Sequence, residues 1–456
     1  MTPGHEDLWF LPLGGTGEIG MNLNLYGHDE RWLMVDCGIT FARDGEPGPR
    51  VQMPDPRFIE ERREQLSALL ITHAHQDHVG AVAHLWPRLR CPVYATAFTL
   101  ALLRPKLARA GLLERVPLHE VKPGLRHRID GFDIEWLPIT HSTPESQALV
   151  IRTAVGGVLH TGDWKLDHDP VVGPACHAPD FQKLADENLL AMICDSTNAD
   201  VAGRSTSEGT LHAGLREAVA ASTGRVVVGC FGSNIARLKT LASVARACGR
   251  YPALLGRSLH DYYGAAMSAG LWPANLRYVA AEDLGYLPPR EVLAVATGSQ
   301  GESRAALDRL AADQHPAFGL DAGDTVILSS RVIPGNELQV SAMIERLEGL
   351  GVRVVQDISS DRPIHASGHP PQEDLKDLYR WVAPRTAIPV HGEPQHLKAH
   401  AAVAREVGIG KRMVGRNGDL YLLAPQRAIR RGAVAAGRLG VEREQLVTVR
   451  IDETRR

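Results

Sequence analysis

Thr72-His73-Ala74-His75-Gln76-Asp77-His78 is the most informative segment of the chain for predicting the fold. It begins at the end of an apolar run, residues 66–72, that predicts a β-strand, and a helix is predicted directly after it at residues 79–85. Imidazoles together with a carboxylate suit zinc, iron or manganese, and one bridging carboxylate can hold two such ions. Three His and one Asp within six positions therefore predict a metal site rather than a cluster of incidentally packed histidines.

Three further residues of the ligand type follow predicted strands elsewhere in the chain. They are His141, Asp163 and His391, and each comes directly after an apolar run. A lone His or Asp is more often structural than functional. Their shared placement favours one common site, because a pair of metal ions needs more ligands than a single loop provides.

The composition indicates a folded protein without a general basic surface. Of the 456 residues, 44% are hydrophobic, which excludes a disordered chain. Fifty Lys and Arg residues against 53 Asp and Glu residues give a net charge of −3. This balance argues against a general nucleic-acid binder, so a nucleic-acid substrate would have to be bound locally.

Cysteine spacing and hydropathy bear on the location of the protein. The six cysteines are scattered without a C-x-x-C pair, which argues against a disulfide framework and predicts a cytoplasmic location. The polar, acidic start of the chain does not resemble a signal peptide. No apolar run approaches the roughly 18 residues that a membrane helix needs, so we expect no membrane association.

The order of apolar runs divides the chain into two kinds of region. Up to about residue 190, short runs separated by turns predict many strands and few helices. From the strand predicted at residues 190–194 onwards, strands and helices alternate, which predicts parallel βαβ units. Predicted helices in this second region include residues 209–222, 235–248 and 342–350.

The ordered ligand motifs resemble the metallo-β-lactamase fold, a four-layer αββα sandwich whose metals lie at one end of two sheets. The resemblance implies two divalent ions per chain, zinc or manganese. The first would be held by His73, His75 and His141, and the second by Asp77, His78 and His391. Asp163 would bridge the two ions.

The 227 residues between Asp163 and His391 are too many for a simple connection and predict an inserted domain. This insertion resembles the β-CASP domain of nucleic-acid-processing enzymes, and the whole chain is most similar to ribonuclease J-like proteins. The segments that carry this resemblance are Leu13-Gly14-Gly15-Thr16-Gly17-Glu18-Ile19-Gly20, Asp195-Ser196-Thr197-Asn198-Ala199, Ser233-Asn234-Ile235, Ala296-Thr297-Gly298-Ser299-Gln300-Gly301-Glu302, Ile333-Pro334-Gly335-Asn336-Glu337 and His365-Ala366-Ser367-Gly368-His369.

We therefore expect an α/β protein made of a metallo-β-lactamase sandwich and an inserted, parallel-sheet β-CASP domain. The first part of the sandwich would cover residues 1–185, the insertion residues 186–364, and the second part residues 365–456. The small C-terminal domain usual in the family is expected to be absent, which leaves a homodimer open.

The resemblance also implies the residues of the active site. Asp77, Asp195 and His369 would be catalytic, with Asp77 accepting a proton from the attacking water and His369 stabilising charge on the transition state. The nucleotide upstream of the cut would be bound by Ser233, Asn234, Ile235, His365, Ala366, Ser367, Gly368 and His369. Hydroxyls, imidazoles and helix N-termini can hold phosphate oxygens. From the residues alone, Ser233-Asn234 could equally be an ordinary helix cap, whereas a capped turn with incidental histidines is the less favoured alternative for residues 365–369.

The function implied is metal-dependent hydrolysis of RNA in RNA processing and decay. The resemblance favours a 5′→3′ exonuclease on single-stranded, 5′-monophosphorylated RNA, with endonuclease action open. The main competing function is hydrolysis of a small ester, lactone or phosphodiester, because the metal motif alone does not select a substrate. An RNA-binding scaffold without activity and a DNA-processing enzyme also stay open.

Overall fold

The computed structural model describes residues 1–42, 45–333 and 335–449. Pro334, which belongs to one of the family-like segments, lies outside the described residues. The strands of the first half are β1 Leu8–Gly14, β2 Leu23–His28, β3 Arg31–Val35, β4 Thr40–Phe41, β5 Val51–Pro54, β6 Leu66–Leu70, β7 Val93–Ala95, β8 Leu118–Glu120, β9 Arg126–Ile129, β10 Phe132–Pro138, β11 Gln147–Thr153, β12 Gly156–His160 and β13 Ala191–Asp195.

The remaining strands belong to the second half of the chain. They are β14 Val226–Gly229, β15 Tyr251–Leu255, β16 Val292–Ala296, β17 Thr325–Leu328, β18 Arg353–Gln356, β19 Thr386–Val390, β20 Lys411–Arg412, β21 Leu420–Ala424, β22 Ala428–Arg430, β23 Arg438–Glu442 and β24 Gln445–Val449.

The α-helices connect and cover these strands. They are α1 Arg57–Glu60, α2 Gln76–Val79, α3 Val82–Leu89, α4 Ala97–Arg109, α5 Ala178–Gln182, α6 Leu211–Ala220, α7 Ile235–Ala247, α8 Arg257–Ser268, α9 Ala306–Ala311, α10 Glu337–Gly349, α11 Gln372–Val382 and α12 Pro394–Glu406. Among the described residues, no helix has both the length and the apolar character needed to cross a bilayer.

Two large sheets pack face to face and form the centre of the sandwich. Within the described residues, the first sheet has the order β22-β21-β1-β2-β3-β6-β7-β8 and the second has the order β20-β19-β13-β12-β11-β10-β9. Their facing side chains form one apolar core that includes Phe10, Trp136 and Ile388. Further cores cover the outer faces, one beneath α3 and α4 and one beneath α11 and α12. This is the αββα arrangement that the sequence predicted.

The strands that precede the predicted ligands end at one edge of the sandwich. In the second sheet, β12, β13 and β19 run parallel, and β10 points the same way because it and β12 both pair antiparallel with β11. In the first sheet, β6 runs parallel to β3 and β7. Carboxyl ends of parallel strands meet at one edge, which is why residues distant in sequence can share a site there.

The alternating second region forms a sheet of its own. Its order is β15-β16-β14-β17-β18, and every neighbouring pair is parallel, as the βαβ rhythm predicted. Helices α6, α7 and α8 pack on one face and α9 and α10 on the other, so both faces are buried. Ala74, Phe98 and Leu102 of the sandwich pack into the first of these two cores, which joins the two parts of the chain.

Several predicted elements differ from those in the structure. The helix predicted at residues 79–85 is two helices, α2 and α3, and the helix predicted at 342–350 begins earlier, at Glu337. Strand β13 pairs with β12 and β19 and so belongs to the second sheet, although the predicted insertion begins at residue 186. The domain boundaries themselves stay a proposal. Helix α4 was not predicted, because it contains Pro105 and proline is normally unfavourable in the interior of a helix.

Buried neutral histidines make the stability of this fold depend on pH. His400 of α12 is fully buried between the Ser196 hydroxyl, 2.9 Å from its Nδ1, and the Tyr379 hydroxyl, 2.7 Å from its Nε2. Burial lowers the pKa of His400 to about 4. In the unfolded chain this histidine titrates near 6.5, so its contribution is complete above that pH and declines as the pH falls toward 4.

We therefore expect the His400→Gln variant to have a shallower pH dependence of stability than the parent protein between pH 6.5 and 4. The lost contribution is on the order of 3 kcal/mol. Thermal unfolding of both proteins, followed in the presence of a chelator so that metal loss does not contribute, measures the difference. Parallel curves for the two proteins would contradict the assignment.

Candidate metal centre

The first group of predicted ligands converges at the end of the sandwich. Nδ1 of His75 lies 3.1 Å from Nε2 of His73 and 3.0 Å from Nε2 of His141. Oδ2 of Asp163 lies 3.8 Å and 3.9 Å from the same two Nε2 atoms. Ligand atoms of a tetrahedral zinc ion with bonds of 2.0–2.1 Å are about 3.4 Å apart, so the spacing of this group suits such an ion.

The second group shares Asp163 with the first. Nε2 of His78 is 3.2 Å from Oδ2 of Asp163 and 3.6 Å from Oδ2 of Asp77. The His391 ring lies between these carboxylates, with Nδ1 3.2 Å from Oδ1 of Asp163 and Nε2 3.2 Å from Oδ2 of Asp77. The seven residues predicted as ligands are thus two groups of four that have one carboxylate in common.

The burial of Asp163 indicates whether this set of donors suits metal ions. Its side chain is 2% exposed, and its Oδ1 makes no hydrogen bond among the described residues, although Nδ1 of His391 lies 3.2 Å from it. A buried carboxylate oxygen that accepts no hydrogen bond is costly unless a cation compensates its charge. The imidazole and carboxylate donors are those that zinc and manganese accept, so the residues fit a bridged pair of divalent ions.

Asp36 orients two of the predicted ligands, His78 directly and His73 through Thr72. Its Oδ2 accepts a hydrogen bond of 2.7 Å from Nδ1 of His78, which leaves Nε2 of that ring facing the centre. Its Oδ1 accepts from the backbone N–H of Thr72 at 2.8 Å, and the Thr72 hydroxyl lies 3.0 Å from Nδ1 of His73. Such outer contacts set the tautomer and orientation of metal-binding histidines.

The inserted part of the chain and the segment after it supply the other outer contacts. Nε2 of His75 lies 3.0 Å from the Ser233 hydroxyl at the start of α7. Nδ1 of His141 lies 2.6 Å from the carbonyl oxygen of Gly368, which accepts a hydrogen bond from its N–H. A Cβ at residue 368 would lie 2.7 Å from Cε1 of His141, so this close approach requires glycine.

Burial keeps the histidines of the first group neutral. It lowers the pKa of His73 and of His141 well below the usual value, and it lowers the pKa of His75 to about 4. Neutral imidazole is the form that binds metal ions. The first group is therefore ready to bind a cation at neutral pH.

In the second group, nearby carboxylates favour the charged form of the histidine His391. Burial disfavours the charged form of His391, but Asp163, Asp195 and Asp77 outweigh it and raise its pKa to about 10. His391 also has a left-handed backbone, with φ of 50°, which is uncommon for a residue other than glycine. Negative charge thus accumulates around this ring, as expected where cations bind.

Asp195 and His369 form a pair beside the metal groups. Oδ2 of Asp195 is 2.7 Å from Nδ1 of His369, and burial of the ring is offset by Asp195 and Asp163, which raise the pKa of His369. The ring centre of His369 lies 5.1 Å from that of His141 and 5.7 Å from that of His391. A protonated His369 can therefore donate a hydrogen bond to an anion placed at the centre.

The segment predicted to bind a nucleotide is largely folded against its neighbours. Nδ1 of His365 lies 3.3 Å from the Ser329 carbonyl oxygen, and Ala366 is buried. The hydroxyl of Ser367 accepts a hydrogen bond of 2.8 Å from Nδ2 of Asn198. Residues 365–369 therefore join the inserted sheet to the metal centre.

At the start of α7, the structure places the predicted residues around a buried ion pair. Asn234 caps α7 by accepting from the backbone N–H of Arg237 at 2.9 Å, and its amide donates to Oε1 of Glu208 at 2.9 Å. Glu208 accepts from Nε and from a terminal nitrogen of Arg237 at 3.1 and 3.0 Å. Ile235 is fully buried, so it packs rather than faces a ligand.

Arg237 connects the two predicted nucleotide segments. Its guanidinium donates to the Ser329 carbonyl oxygen at 2.8 Å and to the Ile364 carbonyl oxygen at 3.5 Å. The same Ser329 oxygen contacts His365. One buried Glu–Arg pair therefore holds the start of α7 and residues 365–369 in a fixed relation.

A cationic cleft opens beside the metal loop. It has a volume of about 820 Å³, lies between α4 and the segments around α8 and α9, and is lined by Gln76 of the metal loop. Gln76 accepts a hydrogen bond from Lys106, and the Tyr262 hydroxyl donates to the Ala74 carbonyl oxygen at 3.0 Å. The cations that line the cleft are Lys106, Arg109, Arg257, Arg304 and Arg309.

Sequence reasoning missed the outer residues of the site. Asp36 ends β3 beside β6, and its place at the carboxyl end of a strand was the one signal that could have identified it. Glu208 and Arg237 carried no motif, and the cleft is built from helices that are far apart in sequence.

Replacing Asp36 with Asn should weaken metal binding about 10- to 100-fold, because His78 loses the carboxylate that orients it. Competition with a chromogenic chelator measures the affinity. Asp324→Asn is the matched control, since Asp324 is another buried carboxylate but pairs with Arg225. Equal metal affinity in the two variants would contradict the role given to Asp36.

Replacing Glu208 with Gln should lower kcat/KM for the RNA substrate expected from the sequence about 10- to 100-fold, mainly through KM, because the segments predicted to bind the nucleotide lose their alignment. The unpaired guanidinium should also reduce the free energy of unfolding by about 3–5 kcal/mol, so rates are compared well below the unfolding temperature. Asp324→Asn again serves as control, and an equal loss in that variant would indicate a general stability effect.

Three family profiles match consecutive parts of the chain. The profile described as the metallo-beta-lactamase superfamily matches residues 20–192, and the beta-CASP domain of ribonuclease J matches residues 223–347. The RNA specificity domain of zinc-dependent metallo-hydrolases matches residues 362–414. The fold class expected from the sequence is thereby confirmed.

Relatives of similar sequence extend over most of the chain. Ribonuclease J of Sinorhizobium meliloti is 43% identical over 424 residues, which cover 92% of this chain and 75% of that protein. Ribonuclease J of Mycolicibacterium smegmatis is 37% identical over 436 residues, or 94% of this chain and 77% of that protein. Ribonuclease J2 of Bacillus subtilis is 33% identical over 419 residues, or 92% and 74%.

A solved structure supports the fold alone. A crystal structure of a protein of unknown function from Enterococcus faecalis V583 aligns with a TM-score of 0.63 at 15% identity. The alignment covers 91% of this chain and the whole of that chain.

Proposed function

The chain belongs to the ribonuclease J family of metal-dependent ribonucleases, and from this membership we propose that it degrades RNA 5′→3′ from a 5′-monophosphorylated end. The observation that supports this direction is the position of residues 365–369, which contact the metal centre on one side and the inserted sheet on the other. Internal cleavage is the second mode open to the same centre.

The donor set would hold two divalent ions, zinc or manganese, with His73, His75 and His141 on one, Asp77, His78 and His391 on the other, and Asp163 between them. Such a pair supplies Lewis acidity and brings the pKa of water toward neutrality. The side chain of Asp77 is 27% exposed, so its carboxylate can orient an incoming water and accept its proton.

His369, positioned by Asp195, would stabilise the phosphate. Asp195 holds the His369 ring through Nδ1 and favours its charged form, so the ring can donate to a phosphoryl oxygen as negative charge develops. The Ser233 hydroxyl and the donors of residues 365–369 would bind the nucleotide at the 5′ end. A terminal phosphate bound there would place the first phosphodiester at the centre.

The cationic cleft would receive the RNA on the 3′ side of the cut. It adjoins the metal loop through Gln76, and it offers five cations against the carboxylate of Asp261. Cations concentrated in a cleft bind a phosphodiester backbone locally, in a chain whose net charge is −3. This chemistry suits a polyanion better than a neutral ester or lactone.

A homodimer and a cytoplasmic location complete the proposal. The six described cysteines are all unpaired, which suits a reducing compartment.

Incubation with 5′-monophosphorylated RNA and Mn²⁺ or Zn²⁺ should release mononucleotides from the 5′ end, at least about tenfold faster than from 5′-hydroxyl RNA. His75→Ala should lower the rate by about 100-fold or more, because the first group loses the donor that joins its other two imidazoles. His84→Ala, which removes an exposed histidine of α3, is the matched control.

The outcomes separate the candidate functions. Hydrolysis that survives His75→Ala would contradict a metal-dependent reaction at this site. Equal rates on DNA of the same sequence would favour a DNA-processing enzyme, because only RNA offers the 2′-hydroxyl. Oligonucleotide products at early times would place internal cleavage first.

A further inference from the structure

The edge strands of the two large sheets meet on one side of the sandwich. Strand β20 ends the second sheet and β22 ends the first. They are neighbours in space, because Nζ of Lys411 donates to the Arg427 carbonyl oxygen at 2.8 Å and the Arg431 guanidinium donates to the Val414 carbonyl oxygen at 2.7 Å. This surface is here called the edge patch.

The edge patch is strongly cationic. Among the described residues, one ion pair to a carboxylate is present at the patch, between Arg431 and the buried Asp419 at 2.7 Å. The guanidinium of Arg431 stays largely exposed in that pair. The exposed cations that form the edge patch are Lys411, Arg412, Arg416, Arg427, Arg430 and Arg431.

One loop separates the edge patch from the metal centre. Arg416 lies beside Gly17, and the next residue, Asn417, contacts Thr16 through both its backbone N–H and its side-chain oxygen. In the same glycine-rich loop, the carbonyl oxygen of Gly15 accepts a hydrogen bond of 2.6 Å from the backbone N–H of His391. A bound strand could therefore touch the edge patch while its end occupies the metal centre.

We propose that the edge patch is a second RNA-binding surface, which holds the phosphodiester backbone of a long RNA outside the catalytic cleft. Exposed Arg and Lys side chains recognise phosphate oxygens by charge and hydrogen bonding and carry no base specificity. Part of the patch lies in loops rather than on the strands, as at Arg416, Arg427 and Arg431. The proposal rests on RNA hydrolysis as the function of the metal centre.

Cations on edge strands have a second known effect, which is to prevent sheets from pairing edge to edge. That role alone predicts self-association when the cations are removed, with no change in affinity for RNA. The two explanations therefore differ in a measurable way.

The test is the triple variant Lys411→Glu, Arg427→Glu, Arg430→Glu, whose side chains lie outside the metal and nucleotide segments. For 5′-monophosphorylated RNA of roughly 40 nucleotides, KM should rise about tenfold or more, and the slope of log KM against log salt should fall by about 2–3. For an RNA of about six nucleotides, kcat/KM should be unchanged within about twofold, because so short a strand gains little from a remote surface.

The matched control reverses three exposed cations elsewhere, Arg57, Lys183 and Arg290, and makes the same change in net charge. It should leave the ratio of the two KM values unchanged. A second readout is fluorescence anisotropy with the long RNA in the His75→Ala background, where the patch variant should bind about tenfold more weakly.

Three results would overturn the proposal: an unchanged KM for the long RNA, an equal rise in the control variant, or self-association of the patch variant without a change in KM. Failure of the underlying function is recognisable separately, because the parent protein would then not hydrolyse the short RNA either.

Discussion

The buried carboxylate of Asp163 connects the two halves of the candidate metal centre. It is buried at the end of β12, and both groups of histidines point toward it. Three nearly buried carboxylates, those of Asp163, Asp195 and Asp36, lie at this end of the sandwich, and an uncompensated charge there would be costly. Cations bound at the centre would remove that cost, so metal binding would stabilise the folded form of this edge.

Two of the predicted ligands connect the inserted sheet and the segment after it to the candidate metal centre. His75 contacts Ser233 at the start of α7, and His141 contacts the carbonyl oxygen of Gly368. Outer contacts of this kind fix the orientation of metal-binding imidazoles. A displacement of the insertion would therefore change the donor geometry, and metal binding would in turn order the segments that face the substrate.

The local arrangement of cations on this protein is more informative than its net charge. The chain as a whole is slightly acidic, yet two local clusters of cations lie in the cleft beside Gln76 and on the edge where β20 and β22 meet. Salt screens exposed charges beyond about 8–10 Å, so a local cluster matters more to a phosphodiester backbone than the net charge does. Overall composition was therefore a poor guide to the substrate.

The kind of chemistry and most of the layers of the fold were predictable from local features of the sequence. The spacing from His73 to His78 predicted a metal site, the apolar runs located most strands, and the alternation after residue 190 predicted a parallel sheet of its own. These features are local or periodic, and side chains within one loop or one strand follow backbone geometry directly. Three features became apparent only from the packing of the folded chain: the contact of Asp36 with His78, the Glu208–Arg237 pair beside the segments predicted to bind the nucleotide, and the cationic cleft between distant helices. Such contacts join elements far apart in the chain, and strand order and packing, which no local pattern encodes, bring them together.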